Sequence, residues 1–138
     1  MNTHTFKFDK LVRDKVCQIL DKKGAEVSLV ETLTRSDIIR YFKHKLLEEA
    51  AEVCEAQAEE EIVRELVDCI EVIHGFTKSL GISQKNFEAI KLEKLSSGGG
   101  FQDCTVVSTV TIPEGSPLID YYLQNQAKYP KVDTHSSQ

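Results

Sequence analysis

Two apolar stripes at helical spacing dominate the middle of the chain. Apolar residues recur every three or four positions from Ile39 to Val53, and again from Ile62 to Leu80. This spacing places each set on one face of an α-helix. One continuous helix over residues 36–80 would be ~66 Å long at 1.5 Å per residue, too long for a domain of this size. We therefore expect two helices with a break near residues 57–60.

The segments around the stripes predict two further core helices. Residues 9–23 carry apolar positions on one helical face, with Asp9 as the N-cap and Gly24 as the stop signal. Ser36 is the predicted cap of the second helix. Ser83 is the predicted cap of the fourth helix, which runs toward an SSGGG segment.

The C-terminal part has a different pattern. Residues 104–112 are rich in β-branched side chains and alternate, which favours a short strand or an extended arm, and residues 117–129 favour a small helix. The sequence therefore predicts a single all-α domain over residues 1–138. Its core at 9–103 is an antiparallel bundle of about four helices, and the extension at 104–138 adds the extended arm and the small terminal helix.

Length and composition restrict the class of protein. With 138 residues and 41% hydrophobic residues, the chain is long enough for one modest globular domain. It has no apolar run near the ~20 residues that cross a bilayer, and no signal-peptide pattern, so the expected location is cytoplasmic with no membrane partner. The four cysteines are widely spaced and favour reduced thiols over a zinc site. The net charge of -5 argues against nucleic-acid binding.

Acidic residues are concentrated in the two central helices. Residues 48–71 contain ten of the chain's 22 acidic residues and one basic residue, Arg64. Four of the acids form pairs three residues apart at the edges of the apolar stripes, close to the expected helix–helix contact. The two pairs are Glu49 with Glu52, and Glu65 with Asp68.

Carboxylates at the edge of a packed interface need compensation. A divalent cation provides it, and oxygen ligands without His or Cys favour Mg²⁺, or Mn²⁺. Because Mg²⁺ often completes its shell with substrate phosphates, the acids point toward a phosphorylated substrate. Lys91 and Lys94 are the nearest cations in sequence for its remaining charge. The alternative is that these acids are solvated surface charge, and the pattern alone leaves the two interpretations about even.

The motif E-x-x-E, followed after 12 residues by E-x-x-D, resembles the metal motif of the all-α nucleoside triphosphate pyrophosphohydrolases, the MazG-like superfamily. KLLEEAAE at 45–52 and RELVDCIEVI at 64–73 resemble the two central helices of that family. KLVRDKV at 10–16 is similar to the opening helix of its phosphoribosyl-ATP pyrophosphohydrolase-like members, and GGF at 99–101 to the segment after their last core helix. The resemblance covers most of residues 9–103.

The chain departs from the family pattern in two places. Members with the GGF segment often carry Lys-x-x-x-Arg just before it; Lys94 matches the lysine, but Gly98 stands where the arginine would be. The part from residue 104 onward has no counterpart in the family. Because of these departures, the resemblance does not predict all of the phosphate-binding residues, and it does not assign a particular substrate.

The resemblance implies a Mg²⁺-dependent enzyme that cleaves the α–β anhydride of a nucleotide. In that role Glu48 orients or deprotonates the water, Lys94 stabilises phosphate charge, and Lys91 and Arg13 contact substrate. The competing interpretations are a surface acid for Glu48, an exposed lysine for Lys94 and a structural salt bridge for Arg13. The implied metal ligands are Glu49, Glu52, Glu65 and Asp68.

Family members pair their subunits, so we also expect a homodimer or homotetramer. Two alternative functions remain open from the sequence. One is phosphoribosyl-ATP pyrophosphohydrolase activity, and the other is a non-catalytic helical module that binds nucleotide or a partner.

Overall fold

A computed structural model of the chain describes residues 2–133, and these are all-helical, without a strand. The predicted all-α class is confirmed. Contacts divide the chain into two compact units, Met1–Gly98 and Gly99–Gln138. The helices are α1 (Val16–Lys22), α2 (Arg35–Glu55), α3 (Glu59–Ser79), α4 (Gln84–Gly98) and α5 (Leu118–Gln124).

A helical hairpin of α2 and α3 forms the centre of the first unit. The two helices make the most extensive helix–helix contact among the described residues. The residues at the break, Ala56 and Ala58, have extended backbone with ψ of 134° and 142°, so the predicted break is confirmed. A link this short holds two helices as antiparallel neighbours. Across the hairpin, the rings of Phe42 and Phe76 stack with centroids 5.1 Å apart.

The start of α2 differs from the prediction by two residues. Thr34, not Ser36, is the N-cap: its side chain accepts a hydrogen bond from the Asp37 backbone N–H, and Asp37 in turn accepts from the Thr34 backbone N–H. This reciprocal capping box satisfies two otherwise free donors. The backbone hydrogen bond from Thr34 is also the main reason that the pKa of Asp37 is lowered.

The predicted helix from residue 9 is shorter in the structure. The helix α1 begins at Val16 and is stopped by Gly24, which has a φ of 82° that favours glycine. Asp9 is not its cap, because its carboxylate accepts a hydrogen bond from the Tyr41 hydroxyl and its backbone has a φ of 42°. Residues 9–15 instead lie against the hairpin through polar side chains, and we call them the N-terminal strap.

Burial in the described part of the chain is unusual. No apolar side chain in residues 2–133 is fully buried, whereas Glu49 is only 6% exposed. The helices α1 and α4 make no extensive contact with the α2–α3 hairpin. Much apolar surface therefore stays in water within one chain.

The second unit contains α5 and an aromatic cluster. Tyr122 lies in edge-to-face contact with Tyr121 and Tyr129, with ring centroids 5.2 and 5.1 Å apart. Residues 104–112 form neither helix nor strand, so the extended-arm prediction holds and the strand alternative is wrong. A β-branched segment needs a paired neighbour to become a strand, and the described residues provide none. Residues 134–138 of the predicted extension lie outside the described part.

None of the helices in residues 2–133 combines the length and the hydropathy that a membrane crossing requires.

Candidate metal centre

Three of the four predicted ligands converge between α2 and α3. Carboxylate oxygens of Glu49, Glu65 and Asp68 all lie within 4.8 Å of one another. Glu49 comes from α2, while Glu65 and Asp68 lie three residues apart on α3 and so point to the same side. Glu65 and Asp68 are half-buried. The hairpin thus brings into one group carboxylates that are 16 or more positions apart from Glu49 in sequence.

Glu49 is the most protected member of the group. Its Oε1 accepts from the Lys45 ammonium at 2.9 Å, one helical turn earlier in α2. Its Oε2 is buried and has no hydrogen-bond partner. A buried carboxylate oxygen without a partner is costly, on the order of 1–3 kcal/mol or more for a charged group. The three converging carboxylates offer only oxygen ligands, which is the donor set that suits a hard divalent cation.

Glu52 flanks the three carboxylates without joining them. Its pKa is raised to about 7, first by the neighbouring Glu49 carboxyl, with which it can share a proton. Burial and the charges of Glu49, Glu65 and Glu48 add to the increase. A shared proton would give Glu49 Oε2 the partner that it lacks when both carboxyl groups are ionised.

The thiol of Cys69, next to Asp68 in α3, is also affected by the charge of these carboxylates. Burial is the main cause of the raised pKa of its thiol, and repulsion from Glu49, Asp68 and Glu65 increases it further. Cys69 therefore remains a protonated thiol near neutral pH.

Glu48 is held in an ion pair. Its two oxygens lie 2.8 Å from Lys10 Nζ and 3.4 Å from Lys45 Nζ. The hydrogen bond from Lys10 is the main cause of its lowered pKa. A carboxylate with a lowered pKa is a weak base, so this geometry favours the ion-pair interpretation of Glu48 over proton abstraction from water.

The cations of the site come from outside the acidic window. Arg13 of the N-terminal strap pairs with Asp68, as the salt-bridge interpretation predicted. Burial alone would lower the pKa of Lys45, but its hydrogen bond to Glu49 and the charges of Glu49 and Glu48 raise it. Arg64, the one basic residue counted within the window, is exposed and is not among these partners.

The sequence could have identified Lys45 but not the others. Lys45 stands four residues before Glu49, which is the spacing of a helical ion pair. The pairing of Lys10 with Glu48 spans 38 positions and that of Arg13 with Asp68 spans 55, and helical periodicity carries no signal for such contacts.

A cleft of about 500 Å³ opens beside the carboxylates. Its lining combines charged side chains, among them Glu49, Asp68, Lys45 and Arg13, with apolar ones such as Phe42. A mixed lining of this kind suits a ligand that has both charged and apolar parts. The lining residues are Leu11, Val12, Arg13, Asp14, Lys15, Phe42, Lys45, Glu49, Asp68, Glu71, Val72 and Gly75.

Lys91 and Lys94 are placed elsewhere. Both are exposed on α4, and Lys91 Nζ lies 3.7 Å from Glu88 Oε2 in the same helix. Because α4 makes no extensive contact with the hairpin, the structure of one chain does not bring these two lysines to the carboxylates.

Comparisons with protein-family models, with curated proteins and with solved structures give no match for this chain.

Proposed function

We propose that the chain is a Mg²⁺-dependent nucleotide pyrophosphohydrolase, with Mn²⁺ as an alternative metal. The observation that carries this proposal is the buried carboxylate of Glu49, whose Oε2 has no partner and which converges with the carboxylates of Glu65 and Asp68. A solvated acidic surface would not bury its central carboxylate to 6% exposure. The resemblance of the E-x-x-E and E-x-x-D motifs to the MazG-like pattern supplies the reaction class.

In this proposal Glu49, Glu65 and Asp68 hold the metal, and Glu52 stands beside them. The bound metal would neutralise phosphate charge and make a coordinated water more acidic. Water attacks a phosphorus at the α–β anhydride, and the nucleotide yields a monophosphate and pyrophosphate. Because Glu48 is held in ion pairs by Lys10 and Lys45, Glu52 is the neighbouring carboxyl group left to accept the proton of that water.

The cleft supports a nucleotide as the substrate. Lys45 and Arg13 place two positive charges beside the carboxylates, where phosphates would lie. Phe42, Leu11 and Val12 add apolar lining for a base or another apolar group. The structure offers no reason to prefer one base, so phosphoribosyl-ATP stays within the candidate substrates.

The decisive experiment is a nucleotide panel read out as pyrophosphate release, with and without Mg²⁺. We expect turnover of at least one nucleotide in Mg²⁺ only, with a loss of at least about a hundredfold in Glu49→Gln and Asp68→Asn, since each removes a metal ligand. Glu55→Gln is the matched control, because Glu55 is an exposed acid of the same helix. If no nucleotide turns over, or if Glu49→Gln is as active as Glu55→Gln, the enzymatic proposal fails in favour of a non-catalytic module.

We also propose that the chain assembles as a homodimer or homotetramer. A second apolar stripe on α3 supports this, because its members recur at helical spacing and each is 47–59% exposed. Light scattering of the wild-type chain should give two or four subunits, and Val67→Lys should reduce that number. A monomeric wild-type chain would exclude the assembly. The stripe consists of Val63, Leu66, Val67 and Ile70.

A further inference from the structure

The N-terminal strap reaches the metal centre through one cation. Arg13 pairs with Asp68, which is one of the three converging carboxylates. Two other contacts attach the strap to α2 outside that group. The Lys10 ammonium pairs with Glu48, and the Asp9 carboxylate accepts a hydrogen bond from the Tyr41 hydroxyl. Strap residues from 11 to 15 also line one side of the cleft. One ion pair, between Arg13 and Asp68, therefore joins the N-terminal strap to a candidate metal ligand.

The two cations at the site differ in how easily they can leave. The Lys45 side chain is 15% exposed and belongs to α2, the helix that carries Glu49. The Arg13 side chain is 59% exposed and lies just before α1, with a single turn hydrogen bond from the Val16 N–H to its carbonyl. A divalent cation that takes an oxygen of Asp68 competes directly with the guanidinium, because both need the same lone pairs. Arg13 is the cation that such competition removes.

We propose that a divalent cation and Arg13 exchange at Asp68, so that metal entry frees Arg13 and loosens the strap around it, while the contacts of Lys10 and Asp9 keep the start of the strap on the hairpin. This inference rests on the metal site of the proposed function, although it does not require turnover. Arg13 freed from Asp68 becomes available to substrate phosphate, for which a planar guanidinium is well suited. Arg13 acts as a latch that is closed in the metal-free chain and is released when the carboxylates are occupied.

Calorimetric titration with Mn²⁺ alone tests the exchange. Arg13→Gln removes the competitor and is expected to tighten Mn²⁺ binding by about two- to fivefold, the size of an exposed ion pair. Lys10→Gln is the matched control, since it removes the same charge from the same strap but frees Glu48, which is outside the three carboxylates. Its affinity should stay within about twofold of wild type. Unchanged or weaker binding in Arg13→Gln would show that Arg13 positions Asp68 and would overturn the exchange.

Amide hydrogen exchange supplies a second readout that does not alter the strap. In the wild-type chain, Mn²⁺ should accelerate exchange of the Val16 amide, whose N–H donates to the Arg13 carbonyl, and in Asp68→Asn it should have no such effect. Slower exchange in Mn²⁺ would contradict release. If Mn²⁺ binds and loosens the strap but no nucleotide releases pyrophosphate, the exchange at Asp68 stands and the proposed activity is excluded. If a nucleotide turns over but the strap does not respond to Mn²⁺, the activity stands and the exchange is excluded. If Mn²⁺ does not bind, both proposals are excluded.

Discussion

The Lys45 ammonium neutralises only one of the two carboxylate oxygens of Glu49. It lies 2.9 Å from Oε1, while Oε2 is buried without a partner. The two residues are one helical turn apart on α2, so their pairing forms with the helix itself. Half of the most buried carboxylate in residues 2–133 is thus satisfied by the chain, and the other half is open to a ligand.

Replacing Lys45 by methionine should destabilise the metal-free chain. The substitution leaves Glu49 buried without its counter-charge, which we expect to lower the free energy of unfolding by on the order of 3 kcal/mol. Urea unfolding in a chelator measures the loss, and saturating Mn²⁺ should reduce it. The control is Lys91→Met, because Lys91 also pairs with an acid of its own helix but both side chains are largely exposed. A pair of that kind contributes about 0–1 kcal/mol. Similar losses in the two variants would contradict the role of burial at Glu49.

The stability of the metal-free chain should fall as pH rises from about 4.5 to about 7. The Glu52 carboxyl keeps its proton to about pH 7 in the folded chain but loses it near its ordinary value of 4.5 when unfolded. In that interval the folded state binds more protons, so raising the pH favours unfolding. Above this interval the contribution of Glu52 is constant.

The groups around Glu52 define the controls for this pH dependence. The charges that act on it are those of Glu49, Glu65 and Glu48. Glu52→Gln cannot ionise and should flatten the pH dependence of urea midpoints measured in a chelator, while Glu55→Gln should leave it unchanged. If Glu52→Gln and wild type show the same slope, the raised pKa of Glu52 is not the cause.

Thr34→Ala should cost about 1 kcal/mol of stability through loss of the α2 N-cap. The substitution removes the acceptor for the Asp37 backbone N–H and breaks the reciprocal pair. Ser36→Ala is the control, because Ser36 lies inside α2, where alanine is a good helix former. Its effect should stay within about 0.5 kcal/mol. If Ser36→Ala lowered the free energy of unfolding more than Thr34→Ala, Ser36 and not Thr34 would be the N-cap, as the sequence predicts.

Gly75→Ala should fail to give the usual stabilisation of a helix-interior alanine. That substitution ordinarily gains about 0.5–1 kcal/mol, but the new Cβ would lie 3.2 Å from Phe42 Cε1. The ring would have to move, and it stacks on Phe76. In a Phe42→Leu background the gain should reappear, and urea unfolding of the four chains of this double-mutant cycle measures the coupling. An equal effect of Gly75→Ala in both backgrounds would rule out the contact.

Local signals were sufficient for most of the helices. The apolar period predicted α2 and α3, and the length limit of one helix predicted the break that the structure places at Ala56 to Ala58. Caps were less certain, since Thr34 and Ser36 are both good acceptors and only the reciprocal bond with Asp37 distinguishes them. Asp9 was misassigned because a carboxylate that can cap a helix can also accept from a distant hydroxyl, here that of Tyr41.

The carboxylates of the site were predictable, and their partners were not. Helical spacing selected four carboxylates beside the apolar stripes, and three of them, Glu49, Glu65 and Asp68, converge because such stripes meet when the helices pack, whereas Glu52 stays outside the group. The position of Arg13 depends on where the strap crosses the hairpin, which local pattern does not encode. Lys94 was selected by the resemblance, and its distance from the carboxylates follows from how α4 leaves α3.

The burial of Glu49 beyond every apolar side chain in residues 2–133 changes where this protein can be improved. Thermostability is usually raised by filling cavities in an apolar core, but residues 2–133 of a single chain contain no fully buried apolar side chain. The adjustable parameter of this protein is charge: one fewer negative side chain beside Glu49, or one more positive one, should do more for heat tolerance than any added methyl group. In the proposed enzyme such a gain would weaken binding of the metal ion, so heat tolerance and the proposed activity would have to be balanced against each other.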